Sequence, residues 1–197
     1  LDVGPVQDTW TPPQDTGPPA PTPSAGIYCD RMDNCVGMQM DTLCPTTPTY
    51  ECQELAIDIC GSQAASPIEV QLFQAKLDCH LTCLSQFQTY GPAFFQCMLN
   101  QCVNIELTCK SGGVYGNENC VYLGGCLQSC GADPDGACGR QCYTQASAEA
   151  GIKYIAIVYC YQGECYDEYE AGTFNQCAAA SRQPGGACSV QVQACMQ

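Results

Sequence analysis

The chain is poor in the side chains that most chemistry requires. Its 197 residues include one histidine, His80, one tryptophan, Trp10, and six Lys plus Arg against 20 Asp plus Glu. A net charge of −14 repels nucleic acid and anionic lipid, so neither is an expected partner, while cations and basic surfaces remain open. No apolar run is long enough to span a bilayer. There is no initiator Met and no signal-peptide pattern, so a chain beginning at Leu1 reads as an exported product whose signal has been removed. A lipid anchor upstream of Leu1 is compatible with that reading. The sequence contains no C-x2-C and no C-x-C. These absences argue against zinc-finger, iron–sulfur, thioredoxin-type and metallothionein-type sites, and a haem carrier would need more axial histidines than one. No cofactor is expected. No N-x-[ST] sequon occurs either.

What the chain has in excess is cysteine, 20 residues, an even number and about one in ten. That density is the mark of a disulfide scaffold formed in an oxidising compartment. The spacing repeats. One copy runs Cys79, Cys83, Cys97, Cys102, Cys109, Cys120, Cys126 and the next Cys138, Cys142, Cys160, Cys165, Cys177, Cys188, Cys195. Both open C-x3-C, continue to C-x4-C and keep ten residues between their fifth and sixth cysteines. A shorter copy, Cys29, Cys35, Cys44, Cys52 and Cys60, corresponds to the last five positions, and Cys130 stands outside the pattern. Each copy holds an odd number, so full pairing requires bridges between copies and one continuous body. The expected divisions are 1–26, 27–78, 79–137 and 138–197.

Residues 1–26 contain seven prolines and no cysteine, the composition of an extended polyproline-II segment. Its reach is about 80 Å, against a body roughly 40 Å across. A stalk between cell surface and body is one reading. The other is an ordered arm that docks on its own body or on a neighbouring subunit, with Trp10 as anchor and Leu1, Val3 and Val6 in support. Thr9, Thr11, Thr16, Thr22, Ser24 and "CPTTPTY" are candidate O-glycan acceptors.

The body is expected to be mainly α, as disulfide-stapled helical hairpins. "EVQLFQAKLDCHLTCLSQFQTY" carries Leu72, Phe73, Leu77, Leu81 and Leu84 near helical spacing, Gly91-Pro92 breaks it, and "AFFQCMLNQCVNIELTC" resumes. "ACGRQCYTQASAEAG" and "IKYIAIVYCYQGECYDEYE" repeat the arrangement, with Ile152, Ile155, Val158 and Tyr159 as a buried stripe. "GADPDGA" and "SRQPGGA" are turns. C-x3-C puts two sulfurs on one helix face, where they meet two on an antiparallel partner. The expected nested bridges are Cys83 to Cys97 and Cys79 to Cys102, then Cys142 to Cys160 and Cys138 to Cys165. The C-x4-C side departs from a helical face, so the second helix should bulge or end there.

This C-x3-C…C-x4-C hairpin resembles the plant α-hairpinin pattern of nested disulfides in two antiparallel helices. The longer stretch "CLQSCGADPDGACGRQCYTQASAEAGIKYIAIVYCYQGEC", followed by Cys177, Cys188 and Cys195, is similar to cysteine-rich repeats in exported proteins and lipoproteins of myxobacteria-like bacteria. Those repeats often follow an acidic Pro/Thr linker like residues 1–26. The resemblance covers most of the chain, is clearest from Cys120 to Cys195, and brings no catalytic residues with it.

Other candidate sites are sparse. His80 beside Cys79 has no evident nucleophile to serve, so an enzyme is not expected. "GECYDEYE" offers Glu164, Asp167, Glu168 and Glu170 as oxygen ligands for calcium, against a plain solvated helix face, and "DPDG" at 133–136 echoes part of a calcium loop. Tyr154, Tyr159, Tyr161, Tyr166 and Tyr169 offer a contact surface or ordinary packing. The sequence therefore leads to an extracellular, non-enzymatic structural protein, a filament subunit that pairs with itself through the arm. The alternative is a secreted or anchored binding module, an adhesin or an inhibitor of hydrolases or microbes, with a protein or glycan ligand.

Overall fold

A computed structural model describes residues 26–45, 49–133 and 135–197, without the side chains of Tyr50, Tyr169 and Glu170. The expected arm anchors Leu1, Val3, Val6 and Trp10 and the acceptors Thr9, Thr11, Thr16, Thr22 and Ser24 lie outside the described residues, as does most of the "PTTP" stretch. The chain is mainly α. Among the described residues the only β features are two isolated bridges, Ile27 with Ala64 and Glu118 with Ala146.

Helices α1 (Cys29–Leu43) and α2 (Tyr50–Ser62) form a first hairpin. Thr49 starts α2 by accepting a hydrogen bond from the Cys52 N–H at 3.2 Å. Tyr28 supplies no such cap to α1. Glu69, 40 residues away, does so instead: its Oε2 accepts from the Cys29 N–H at 2.9 Å. Helix α3 (Pro67–Phe87) begins with proline at its first position, where the missing N–H costs nothing. Its Phe73 is buried with Cys29, Met32 and Cys109 in one core cluster.

The stretch from Pro92 to Ser111 is one helical run with a break in period. α4 (Pro92–Cys97) passes into a π-helical turn at Met98–Cys102 and then into α5 (Val103–Ser111). The turn explains the C-x4-C spacing. Five residues advance an α-helix about 140° past a full turn, too far for two sulfurs to share a face. A π turn, bonded i to i+5, brings Cys97 and Cys102 back into line. Cys79 bonds Cys102 and Cys83 bonds Cys97, the expected nesting.

α6 (Cys120–Ser129) and α7 (Ala137–Gln145) form a third stapled hairpin, and here the expectation has to be corrected. Cys138 pairs with Cys130 and Cys142 with Cys126, neither with Cys165 or Cys160. Cys126 and Cys130 are themselves a C-x3-C pair, and the short "GADPDGA" turn folds them directly onto Cys138 and Cys142. Two helices with sulfurs four residues apart match in pitch without any bulge. Long helix α8 (Ala148–Glu164) has no π turn. Cys160 and Cys165 therefore diverge by about 140° and meet different partners, Cys188 and Cys177.

α8 is the spine of the C-terminal half, packing against α4, α5, α6, α10 (Phe174–Ser181) and α11 (Ser189–Met196), with the short α9 (Tyr166–Glu170) between α8 and α10. Ser147 caps it through the Ala150 N–H at 3.1 Å. Ile155, Ile157 and Tyr159 are buried, while Ile152 and Val158 are half-buried, so the apolar stripe is shifted from the one expected. With Phe94, Leu107, Leu123 and Tyr143 the three buried residues make the larger core, and Ile152 packs against it. Gly151 lets Leu107 lie against the helix backbone, since a Cβ there would stand 2.3 Å from Leu107 Cδ1.

Long-range disulfides tie the elements into one body. Cys29–Cys109 joins α1 to α5, Cys120–Cys195 joins α6 to the C-terminal helix, and Cys35–Cys60 and Cys44–Cys52 hold the first hairpin. The divisions expected at 78/79 and 137/138 fall inside α3 and α7. No helix among the described residues is long and apolar enough to cross a membrane.

Candidate functional site

Each cysteine of the chain belongs to one of ten disulfides, and none is free. Among the described residues, the one cluster with ligand atoms close enough to share a metal ion is Cys130, Cys138 and Cys142, whose sulfurs are already bonded in adjacent bridges. Glu164 and Asp167 are exposed and Glu168 is half-buried, and they gather no such set of ligand atoms; the Glu170 side chain lies outside the description. The "DPDG" segment is a helix cap. Asp133 accepts from the Cys138 and Gly139 N–H groups at 3.2 and 2.7 Å, and Asp135 from Ala137 at 3.0 Å.

His80 packs in an aromatic group with Tyr90 and Phe94, at centroid distances of 6.0 and 5.0 Å, and Tyr90 stacks on Tyr166 at 5.7 Å. Burial lowers its pKa, against the pull of Asp33, and its Nε2 has no hydrogen-bond partner. No hydroxyl or thiol is hydrogen-bonded to it, so the described residues hold no activated nucleophile of the Ser–His or Cys–His kind.

The most developed polar feature is a cavity of about 350 Å³ where α1, α3, α5, α7 and α8 converge. It was not visible in the sequence. Four of the six basic residues line or adjoin it: Arg31, Lys76, Lys110 and Arg140. Among the described residues the buried charged side chains are Glu69, Lys76 and Glu106, at 4, 8 and 5% exposure, and Lys76 and Glu106 line the cavity. Glu106 is held between two ammonium groups, Lys110 Nζ at 3.1 Å and Lys76 Nζ at 3.4 Å. Lys76 also bonds Asp33. Arg31 Nη2 stands 3.9 Å from Asp133, and Arg140 bonds Glu69 and the Cys109 carbonyl while covering the Tyr28 ring.

Burial alone would raise the Glu106 pKa. Lys110 and Lys76 outweigh it and hold the carboxyl at about 2. Burial likewise works against the Lys110 charge, but Glu106 and Asp30 carry its pKa above the usual lysine value. Asp30 goes the other way, raised by burial despite the cations around it. Tyr143 and Tyr159, on the cavity wall, are pushed up first by burial and then by neighbouring acidic groups, so both stay phenolic. The arrangement can hold a polar guest by hydrogen bonds.

Comparison with protein-family models, curated proteins and solved structures finds no match for this chain.

Proposed function

We propose that the chain is an exported, non-enzymatic structural protein, a subunit of a cell-surface filament or similar polymer, assembled through its N-terminal arm and hardened by intramolecular disulfides. The observation that carries the reading is the route of the covalent cross-links. Cys29 follows closely on the arm and is bonded to Cys109, deep in α5. Tension applied to the arm therefore reaches the centre of the body through a covalent bond, and does not first peel α1 from its neighbours. At the other end Cys195 is tied back to Cys120 in the same way. A body fixed at both ends suits a subunit that bears load outside a cell, where disulfides persist.

In this reading the arm of one subunit lies on the next, a head-to-tail contact that propagates without closing. Trp10 is its anchor, aided by Leu1, Val3 and Val6. Deleting residues 1–26 should leave a monomer with unchanged far-UV circular dichroism, while the full chain forms polymers visible by electron microscopy. Fibres from the truncated chain, or a full chain that stays monomeric, would overturn it. A second reading, a secreted or anchored binding module, is favoured by the cavity beside Glu106. It requires a monomer in solution with the arm resting on its own body.

A further inference from the structure

The cavity beside Glu106 has a volume equal to about twelve water molecules in the liquid, and it falls within the range of small-molecule sites. Its wall is unusual for a chain with few cations. A purely structural ionic cluster would match every buried donor with an acceptor. Here three buried atoms lack hydrogen-bond partners: Asp30 Oδ1, Glu106 Oε2 and Arg31 Nε. Glu106 itself is nine-tenths buried, and its Oε2 lies 3.4 Å from Lys76 Nζ. The unmatched set thus holds acceptors and a donor in one wall. Tyr154 and Gln162 of α8 face the same space.

The charges limit what can enter. Lys76, Lys110 and Arg31 each already stand opposite a carboxylate. A bound anion would have to draw a cation off its partner, and a metal ion would share its carboxylates with two ammonium groups. The wall has four carboxylates, Asp30, Asp33, Glu106 and Asp133, against those three cations. Burial raises the Asp30 pKa, which weakens the charge of the one carboxylate in excess. A guest that fits must carry donors and acceptors together and no formal charge. Alternating hydroxyls do this, and the C–H face of a sugar ring can lie against a tyrosine ring.

We propose that this cavity binds a neutral, monosaccharide-sized carbohydrate, with Asp30 and Glu106 accepting from its hydroxyls, Arg31 donating to them, and Tyr154 and Gln162 closing the site. The inference does not depend on assembly through the arm, and its test reads binding alone, so each can fail without the other.

The test is a nuclear magnetic resonance titration of the full, oxidised chain with D-glucose, D-galactose and N-acetyl-D-glucosamine in turn, up to tens of millimolar. Lysine hydrochloride and sodium sulfate serve as charged probes. At least one sugar should give saturable shifts confined to residues lining the cavity. Tyr154→Phe and, separately, Gln162→Ala should each weaken that binding roughly 3- to 10-fold, the loss expected for one hydrogen bond, with circular dichroism unchanged. No saturable shift from any of the three sugars would overturn the proposal. So would shifts centred on the exposed Tyr90–Tyr166 pair, or saturable shifts from lysine or sulfate alone.

Discussion

Replacing Glu106 by glutamine is the sharpest test of the ionic cluster, because it keeps the shape and removes one charge. Glu106 is 5% exposed and faces Lys110 at 3.1 Å and Lys76 at 3.4 Å. Its folded pKa of about 2 lies below the ordinary 4.5. A depressed carboxylate stabilises the folded state fully above its unfolded pKa and loses that contribution as pH falls through the folded one. The window is therefore from 4.5 down to about 2. At 1.36 kcal/mol per pKa unit the contribution at neutral pH is about 3 kcal/mol. Removing one member of a buried ion pair costs roughly 3–5 kcal/mol by a separate line of evidence, since the partner charges stay behind. Urea unfolding of the oxidised protein, followed by far-UV circular dichroism, should show Glu106→Gln destabilised by about 3 kcal/mol at pH 7. The gap between the two proteins should close towards pH 2, where the native carboxyl takes up its proton. A gap below about 1 kcal/mol at neutral pH, the scale of an exposed pair, would refute the argument. So would a gap that persists at the acid end.

Other expectations follow from the same geometry. Removing the Cys29–Cys109 bridge with paired alanines opens a loop whose ends are 80 residues apart. The remaining bridges shorten the effective loop to roughly 35 residues, for which the chain-entropy model gives about 4 kcal/mol; an unchanged urea midpoint would contradict that assignment. Gly116→Ala would place a Cβ 2.2 Å from the Gln145 carbonyl oxygen, beside the 2.9 Å bond from the Gly116 N–H to Ala146. It should cost roughly 1–3 kcal/mol, seen as a lower melting temperature, and an equal melting temperature would show that the loop yields freely. The His80 ring should titrate with a midpoint below 6.5, because burial disfavours its charged form. Its protons in a nuclear magnetic resonance pH series read this directly, and a midpoint at or above 6.5 would place the ring in a different setting.

Much of the scaffold was legible in the sequence because cysteine spacing and helical period speak about the same faces. The Cys79–Cys102 and Cys83–Cys97 nesting follows from a C-x3-C helix meeting a helix that bulges or ends at its C-x4-C, and a bulge is what occurs, as the π turn at Met98–Cys102. The third hairpin was misassigned for a physical reason. Cys130 stands outside the repeat spacing, yet Cys126 and Cys130 form a pair that matches Cys138/Cys142 in spacing without strain and closes a far shorter loop. A five-residue offset along a helix without a π turn keeps Cys160 and Cys165 from facing one partner helix.

The cavity was illegible for a different reason. Arg31, Lys76, Lys110 and Arg140 lie on four helices, and nothing local relates them. Only Glu106 and Lys110, four residues apart on α5, carried a signal, and that spacing is equally common on a solvated surface. The capping of α1 by Glu69 is similar, since a carboxylate 40 residues from the N–H it accepts leaves no trace in the local pattern. A count of basic residues carries no information about where the few are placed in the fold.

The account rests on all twenty cysteines being staples, so the most direct measurement is a disulfide map of the native protein. Proteolysis under non-reducing conditions, peptide mass spectrometry and a thiol count on the unfolded chain would provide it. The account predicts no free thiol, with Cys126 linked to Cys142, Cys130 to Cys138, and Cys29 to Cys109. Titratable thiols in freshly isolated protein, or peptides joining Cys142 to Cys160, would contradict it.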